Sequence, residues 1–327
     1  MSVKVGIIGG AGYTAGELLR ILIHHPQVEI AFVHSGSHAG KKVFEAHHDL
    51  FGETELSFAA DFSNDVDVLF LCLGHGKSVD FIHQTQINPN VKIIDLSQDF
   101  RLQGKLLFEG TERRFVYGLP ELHRDEIKKA SNIANPGCFA TAFELALLPL
   151  ASAGLLTSEV HINGITGSTG AGQALSDTTH FSWRNNNISI YKAFTHQHLK
   201  EVKLTLETGG AKSPKLNFIP VRGNFTRGIF LSAYTACGLS IDELTALYRR
   251  FYKDAAFTFV SDHEISLKEV INTNKCILHV EKHDDKVLIT SVIDNLTKGA
   301  SGQAVQNMNL MFGLDEKTGL GLKTVGF

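Results

Sequence analysis

A chain of 327 residues is too long for one typical domain and points to two. With 43% apolar and 20% charged residues, a net charge of −3 and no Lys/Arg-rich run, it reads as a soluble globular protein with no nucleic-acid surface. No apolar run reaches about 18 residues without a Gly, Pro or charge, and Cys72, Cys138, Cys237 and Cys276 lie far apart with no CxxC, so neither a membrane span nor a disulfide or zinc framework is expected.

Residues 3–8 form a short apolar strand that runs straight from the N-terminus, with no signal peptide ahead of it, which suits a cytoplasmic protein. The glycine turn Gly9-Gly10-Ala11-Gly12-Tyr13-Thr14 follows, then helical residues 17–23. Strand, glycine turn and helix make a dinucleotide-binding opening, because glycines admit a pyrophosphate to the backbone and a helix N-terminus donates N–H groups to it. The second strand, 28–33, ends in His34-Ser35-Gly36-Ser37-His38, with Lys41-Lys42 beyond, where an NAD-selective site would carry Asp or Glu. Ser35, Ser37 and the lysines suit a 2′-phosphate, so NADP is expected. Residues 67–73 read as a strand buried on both faces, with Cys72 inside it as core. Gly74-His75-Gly76-Lys77-Ser78 follows, with Ser78 as a helix cap. Residues 91–96 form a strand that ends in Ser97-Gln98-Asp99-Phe100-Arg101, where Asp99 and Arg101 are placed to pair. A loop over 116–122 precedes a charged helix, 124–130.

The strand 132–134 delivers Asn135-Pro136-Gly137-Cys138, and 139–153 reads as a buried helix with Glu144 its one charge. Cysteine in the first turn of such a helix lies in the positive end of its dipole, which favours the thiolate; the same position also suits a small core residue. Beyond it the pattern changes to strands at 160–166, 215–221, 229–236, 275–281 and 287–294, with few helices between them. Gly167-Ser168-Thr169-Gly170-Ala171-Gly172 offers consecutive N–H groups as a possible anion nest. His196 and His198, at i and i+2, would face one side of an extended segment. A helix over 300–312, with Ala304, Met308, Met311 and Phe312 on one face, returns to the first domain. The expected architecture is α/β: a Rossmann-like doubly wound sheet in 1–137 with 300–327, and an α+β catalytic and dimerisation domain in 138–299.

As a set these motifs resemble the N-acyl-γ-glutamyl-phosphate reductases of arginine biosynthesis, which have a semialdehyde-dehydrogenase-like fold. The residues concerned are Gly12-Tyr13-Thr14, Asp95-Leu96-Ser97 with Asp99-Phe100-Arg101, Tyr117-Gly118-Leu119-Pro120-Glu121, Asn135-Pro136-Gly137-Cys138-Phe139, Thr169-Gly170-Ala171-Gly172, His196-x-His198, Arg227-Gly228, and Asp294-Asn295-Leu296 with Lys298-Gly299-Ala300. Departures from the family pattern are Gly36 and Gln173 where Arg is usual, Leu199-Lys200 in place of Pro-Glu, and Arg222 as an additional cation.

The resemblance implies NADPH-dependent reduction of N-acetyl-γ-glutamyl phosphate to the 5-semialdehyde through a Cys138 thioester, with the N-succinyl analogue as the alternative substrate. His198 is assigned as acid/base and His196 as a substrate contact, an order the sequence does not itself impose. Arg101, Arg227 and Tyr191 are assigned to the acyl-phosphate substrate, because Arg binds phosphate and carboxylate bidentately. Gly9, Gly12, Tyr13, Thr14, Ser35, Ser37, His75, Ser97, Gly170 and Asn295 are assigned to the cofactor. No metal site is expected, since the HxH pair lacks a third ligand, and a homodimer or homotetramer is. An aspartate-semialdehyde-dehydrogenase-like enzyme is disfavoured, because Ile219-Pro220-Val221-Arg222 carries no following His. A cofactor-sensing regulator would instead leave Cys138 unreactive to thiol reagents.

Overall fold

The computed structural model describes residues 2–108 and 111–326, so the outermost ends of the expected ranges, 1 and 327, lie outside the described residues. The chain divides into Met1–Gly137 with Ala300–Gly321, and Cys138–Gly299 with Leu322–Phe327. The tail therefore differs from the expected 300–327. Its last stretch groups with the second unit, where the Lys323 carbonyl accepts from Asn272 Nδ2 at 3.1 Å and Thr324 Oγ1 donates to the Lys268 carbonyl.

The first unit contains β1 (Val3–Ile8), α1 (Tyr13–Leu22), β2 (Val28–His34), β3 (Phe58–Ala59), β4 (Val68–Leu71), α2 (Lys77–Gln84), β5 (Lys92–Asp95), β6 (Lys105–Phe108), β7 (Thr111–Tyr117), α3 (Pro120–Lys129) and β8 (Asn132–Ala134). Its sheet runs β3-β2-β1-β4-β5-β8-β7-β6, parallel throughout except for the antiparallel β6–β7 pair. β1, β4 and β5 are almost wholly buried, the pattern of inner strands in a parallel sheet. The strand order reverses between β1 and β4, which opens a crevice at their C-terminal ends. The expected loop over 116–122 is in fact the end of β7 followed by α3, which starts at Pro120, a residue preset for the first helical position.

In the second unit, α4 (Cys138–Ser152) is followed by β9 (Val160–Thr166), α5 (Phe181–Arg184), β10 (Ser189–Ile190), α6 (His198–Thr208), β11 (Leu216–Arg222), β12 (Ile229–Ala236), α7 (Ile241–Phe251), β13 (Thr258–Ser261), β14 (Cys276–His283) and β15 (Lys286–Ile293). The mixed sheet runs β10-β11-β9-β12-β15-β14-β13. Its strands alternate buried and half-buried residues, as a sheet covered on one face must. α4, α6 and α7 supply the cover. α4 is buried from Phe139 to Ala151 and is tied to α7's end by Tyr248 and Tyr252, whose hydroxyls donate to the Ala146 and Leu145 carbonyls at 2.6 and 2.5 Å.

A π-helical turn over Thr297–Ser301 leads into α8 (Gly302–Met311) of the first unit. α8 is not one-faced as its apolar spacing suggested. Every residue is buried, and its polar side chains are tied internally: Asn307 Nδ2 donates to the Gly118 carbonyl and to Asn135 Oδ1, and Asn309 Oδ1 meets His25 Nε2 at 3.1 Å.

Candidate active site and cofactor crevice

Gly9 follows β1 with φ +83°, and a Cβ there would lie 2.6 Å from the Cys72 carbonyl oxygen. Both the angle and the space require glycine. At the N-terminus of α1, a Cβ on Gly12 would meet the Gly9 carbonyl oxygen at 3.9 Å, an ordinary contact. His47, which sequence reading missed, buttresses this turn: its ring lies against Gly16 and its Nε2 meets the Gly10 carbonyl at 2.8 Å. Tyr13 is exposed, and the Thr14 carbonyl accepts from Ser301 Oγ. Ser35 and Ser37 form a polar pair at the end of β2, with their hydroxyls 3.4 Å apart and Ser37 bonded to His38. Lys42 is turned away onto Glu55. Burial pushes the Cys72 thiol up to about 12, which makes it inert. A glycine turn at the strand-order reversal, before a helix N-terminus, fits a dinucleotide pyrophosphate.

The end of β5 is wired to the segment before Cys138. Ser78 and Ser97 hydroxyls donate to the buried Asp95 carboxylate at 2.6 and 2.7 Å. Ser78 is therefore not the cap of α2. Asp99 caps it, accepting from the Gly76, Ser78 and Val79 N–H groups. Arg101 is buried and donates from Nε to the Asn135 carbonyl at 2.8 Å and from Nη2 to the Leu96 carbonyl at 3.0 Å. That side of the guanidinium, assigned to substrate, holds the chain three residues ahead of the candidate nucleophile. His75 is exposed, and its Nδ1 accepts from Gln98 N.

In the second unit Cys138 opens α4, where the helix dipole favours a thiolate. Gly299 lies directly against it: a Cβ there would fall 2.8 Å from Cys138 Cβ. Tyr191 is close enough to feel the sulfur's charge, and burial first, then Cys138, raises its hydroxyl well above the ordinary value. The His196 ring packs edge-on to Tyr191 at 5.7 Å, and the His198 ring sits 4.9 Å from that of His196. Phe139 touches both histidines. The two are not on an extended segment: Gln197 is helical, and His198, the first residue of α6, donates its N–H to His196 Nδ1 at 3.3 Å. The bond assigns the remaining proton of neutral His196 to Nε2.

Burial, and secondarily Lys192, lowers His196 to about 4. The unfolded chain then binds more protons between about pH 6.5 and 4, so stability falls as pH drops through that window and is untouched above it. Relative to a His196→Gln variant, the wild type is expected to lose on the order of 3 kcal/mol across it in urea titrations. Parallel pH profiles would refute this. Asp95, raised to about 6 mainly by burial, acts with opposite sign, losing stability as pH rises through about 6, but it does so equally in both proteins.

Arg227, also assigned to substrate, is turned into the protein. Its Nε and Nη2 hold both oxygens of the fully buried Asp294 carboxylate at 3.0 and 3.1 Å, and Nη2 also reaches Thr297 Oγ1. Asn295 accepts from Gly228 N at 2.6 Å and donates to Thr169 Oγ1 at 3.0 Å, so its amide positions the glycine loop. That loop is no anion nest. Ser168–Ala171 is a 3₁₀ turn, and the Gly167, Ser168, Thr169, Gly170 and Gly172 N–H groups all donate to backbone carbonyls.

The semialdehyde dehydrogenase NAD-binding domain matches residues 4–130, and the semialdehyde dehydrogenase dimerisation domain matches 138–295. Aspartate semialdehyde dehydrogenase II from Vibrio cholerae, complexed with ASA, superposes with a TM-score of 0.73 over 96% of this chain and 99% of that one, at 18% identity. The Candida albicans enzyme with NADP gives 0.67 at 12% identity, covering 95% and 99%. Fold and site thus define a two-domain protein of the semialdehyde dehydrogenase class. Full-length relatives named N-acetyl-γ-glutamyl-phosphate reductase come from Flavobacterium johnsoniae (58% identical over 99% of this chain and 100% of that one) and Bacteroides thetaiotaomicron (50%, same coverage). The chain belongs to the N-acetyl-γ-glutamyl-phosphate reductase family.

Proposed function

We propose that the protein reduces an N-acyl-γ-glutamyl phosphate, N-acetyl-γ-glutamyl phosphate in the first instance, to the 5-semialdehyde and phosphate in arginine biosynthesis. The observation that carries this is Cys138 at the first position of a buried helix, packed against Gly299, with His196 and His198 against the ring of the next residue, Phe139, and Tyr191 against His196. The Cys138 thiolate attacks the acyl carbon, the acyl–phosphate C–O bond breaks, phosphate leaves, and a thioester remains on Sγ. When bound in the first unit, a reduced nicotinamide would supply the hydride that reduces this thioester. The tetrahedral oxyanion then re-forms its C=O bond and expels the Cys138 thiolate, releasing the semialdehyde. His196, held neutral with its proton on Nε2, suits hydrogen bonding to substrate; His198 is left as the acid/base group.

NADP is the proposed cofactor: Gly9 and Gly12 admit the pyrophosphate, and β2 ends in Ser35 and Ser37 rather than in a carboxylate. Tyr13, Thr14, His75, Ser97 and, less directly, Gly170 and Asn295 belong to that reading. We further propose a dimer or tetramer using the sheet face opposite α4, where Tyr234 stacks on His161 and Phe259 is exposed. Cytoplasmic location is proposed as well; among the described residues no helix is long and apolar enough to cross a membrane. The test is phosphate-dependent reduction of NADP and of NAD with N-acetyl- and N-succinyl-glutamate semialdehyde, with aspartate semialdehyde as control. Turnover of an N-acylglutamate semialdehyde, with NADP preferred, is expected. Turnover of aspartate semialdehyde alone would sink the reading.

A further inference from the structure

Arg222 ends β11 and has no place in the chemistry above. Its guanidinium carbon lies 4.9 Å over the Tyr191 ring, which packs on His196, itself against Phe139 next to Cys138. Nη1 reaches Thr178 Oγ1 at 3.3 Å, while Nε is buried with no hydrogen-bond partner. A buried N–H of a cation left unmatched is costly, which marks a place for an acceptor from outside the chain.

A second guanidinium stands behind the first. Arg184 is 7% exposed and donates from Nη1 to the Arg222 carbonyl at 3.0 Å, with other bonds to the Thr178 and Asn187 carbonyls and Ser189 Oγ. Burial and the charge of Arg222 both lower its pKa, as expected of two like charges held together. Among the described residues neither is paired with a carboxylate, in contrast to Arg227, whose fork is filled by Asp294. Arg184 has its hydrogens engaged by the protein and contributes charge. Arg222 has both charge and a free donor.

We propose that Arg222, backed by Arg184, holds a carboxylate of the acyl substrate beside Cys138. The inference rests on the proposed function and assigns the anion contact that Arg227 cannot make with its occupied edge. The carboxylate has two sources: the α-carboxylate common to all N-acylglutamates, or a terminal carboxylate on a dicarboxylic acyl group such as succinyl.

Arg222→Gln and Arg222→Lys would be assayed for phosphate-dependent nucleotide reduction with both semialdehydes, each with its own KM, alongside KM for inorganic phosphate and a melting curve. Arg222→Gln should raise the semialdehyde KM by roughly ten- to a hundredfold, the scale of a lost charge-assisted hydrogen bond, with phosphate KM unchanged and Lys partly restoring it. A rise for both substrates assigns the α-carboxylate, and a rise for the succinyl compound alone assigns the acyl terminus. An increase confined to phosphate KM, or no increase with either semialdehyde, overturns the proposal while leaving the function intact. Failure of the wild type to turn over either semialdehyde removes the functional reading itself.

Discussion

Replacing Cys138 by Ser is expected to lower phosphate-dependent turnover by on the order of 10⁴-fold or more, with the fold unchanged. The size follows from the mechanism: a serine hydroxyl is not ionised near neutral pH, and the dipole of α4 that favours a thiolate does too little for an alcohol. The fold should tolerate the change because Ser is close to Cys in size and the position is half-buried. Circular dichroism and melting curves check the fold, and alkylation rates check the reactivity. Wild-type Cys138 should react with iodoacetamide near neutral pH far faster than Cys72, whose thiol burial holds near 12. Full activity in Cys138→Ser, or equal alkylation of both thiols, would remove Cys138 as nucleophile. An unreactive Cys138 would point instead to a fold retained for sensing a cofactor.

The parts of this site that could be read in the sequence were those set by local rules. The Gly9–Gly12 turn, the Cys138 helix start and the alternating strands of the second unit all depend on neighbours a few residues away. What escaped reading depends on partners far along the chain. Arg227 meets Asp294 across 67 positions, and Asn307 meets Asn135 across 172. A sequence shows that an arginine can bind an anion, but not that the protein has already supplied one. The glycine loop failed as a nest for the same reason: Phe225, Thr226 and Gly228 provide carbonyls to its N–H groups. Two signals were readable and passed over. Ser240-x-x-Glu243 is a capping box that marks α7, and Asp294-Asn295-x-Thr297 is the pattern of an Asx turn.

At Asp294 that hidden wiring is expected to carry a large stability effect. Its fully buried carboxylate accepts from Arg227 twice, and from the N–H groups of Asn272 at 2.7 Å, Leu296 at 2.8 Å and Thr297 at 3.0 Å. Asp294→Ala leaves a largely buried guanidinium and those N–H groups without their acceptor, so destabilisation of about 3–5 kcal/mol is expected in urea unfolding. Arg227→Ala strands the opposite charge and should cost a similar amount. The double variant removes both charges together and should lose less than the two single losses added, by about 1–3 kcal/mol. Additive losses would mean that the pair contributes nothing as a pair. The same carboxylate sets the turn from Asn295 to Thr297, and the Asp294 carbonyl accepts from Gly299 N at 2.9 Å. Gly299 in turn leaves no room for a Cβ against Cys138. Loss of Asp294 should therefore change the rate of Cys138 alkylation at temperatures where the protein is still folded, and an unchanged rate would separate this turn from the nucleophile.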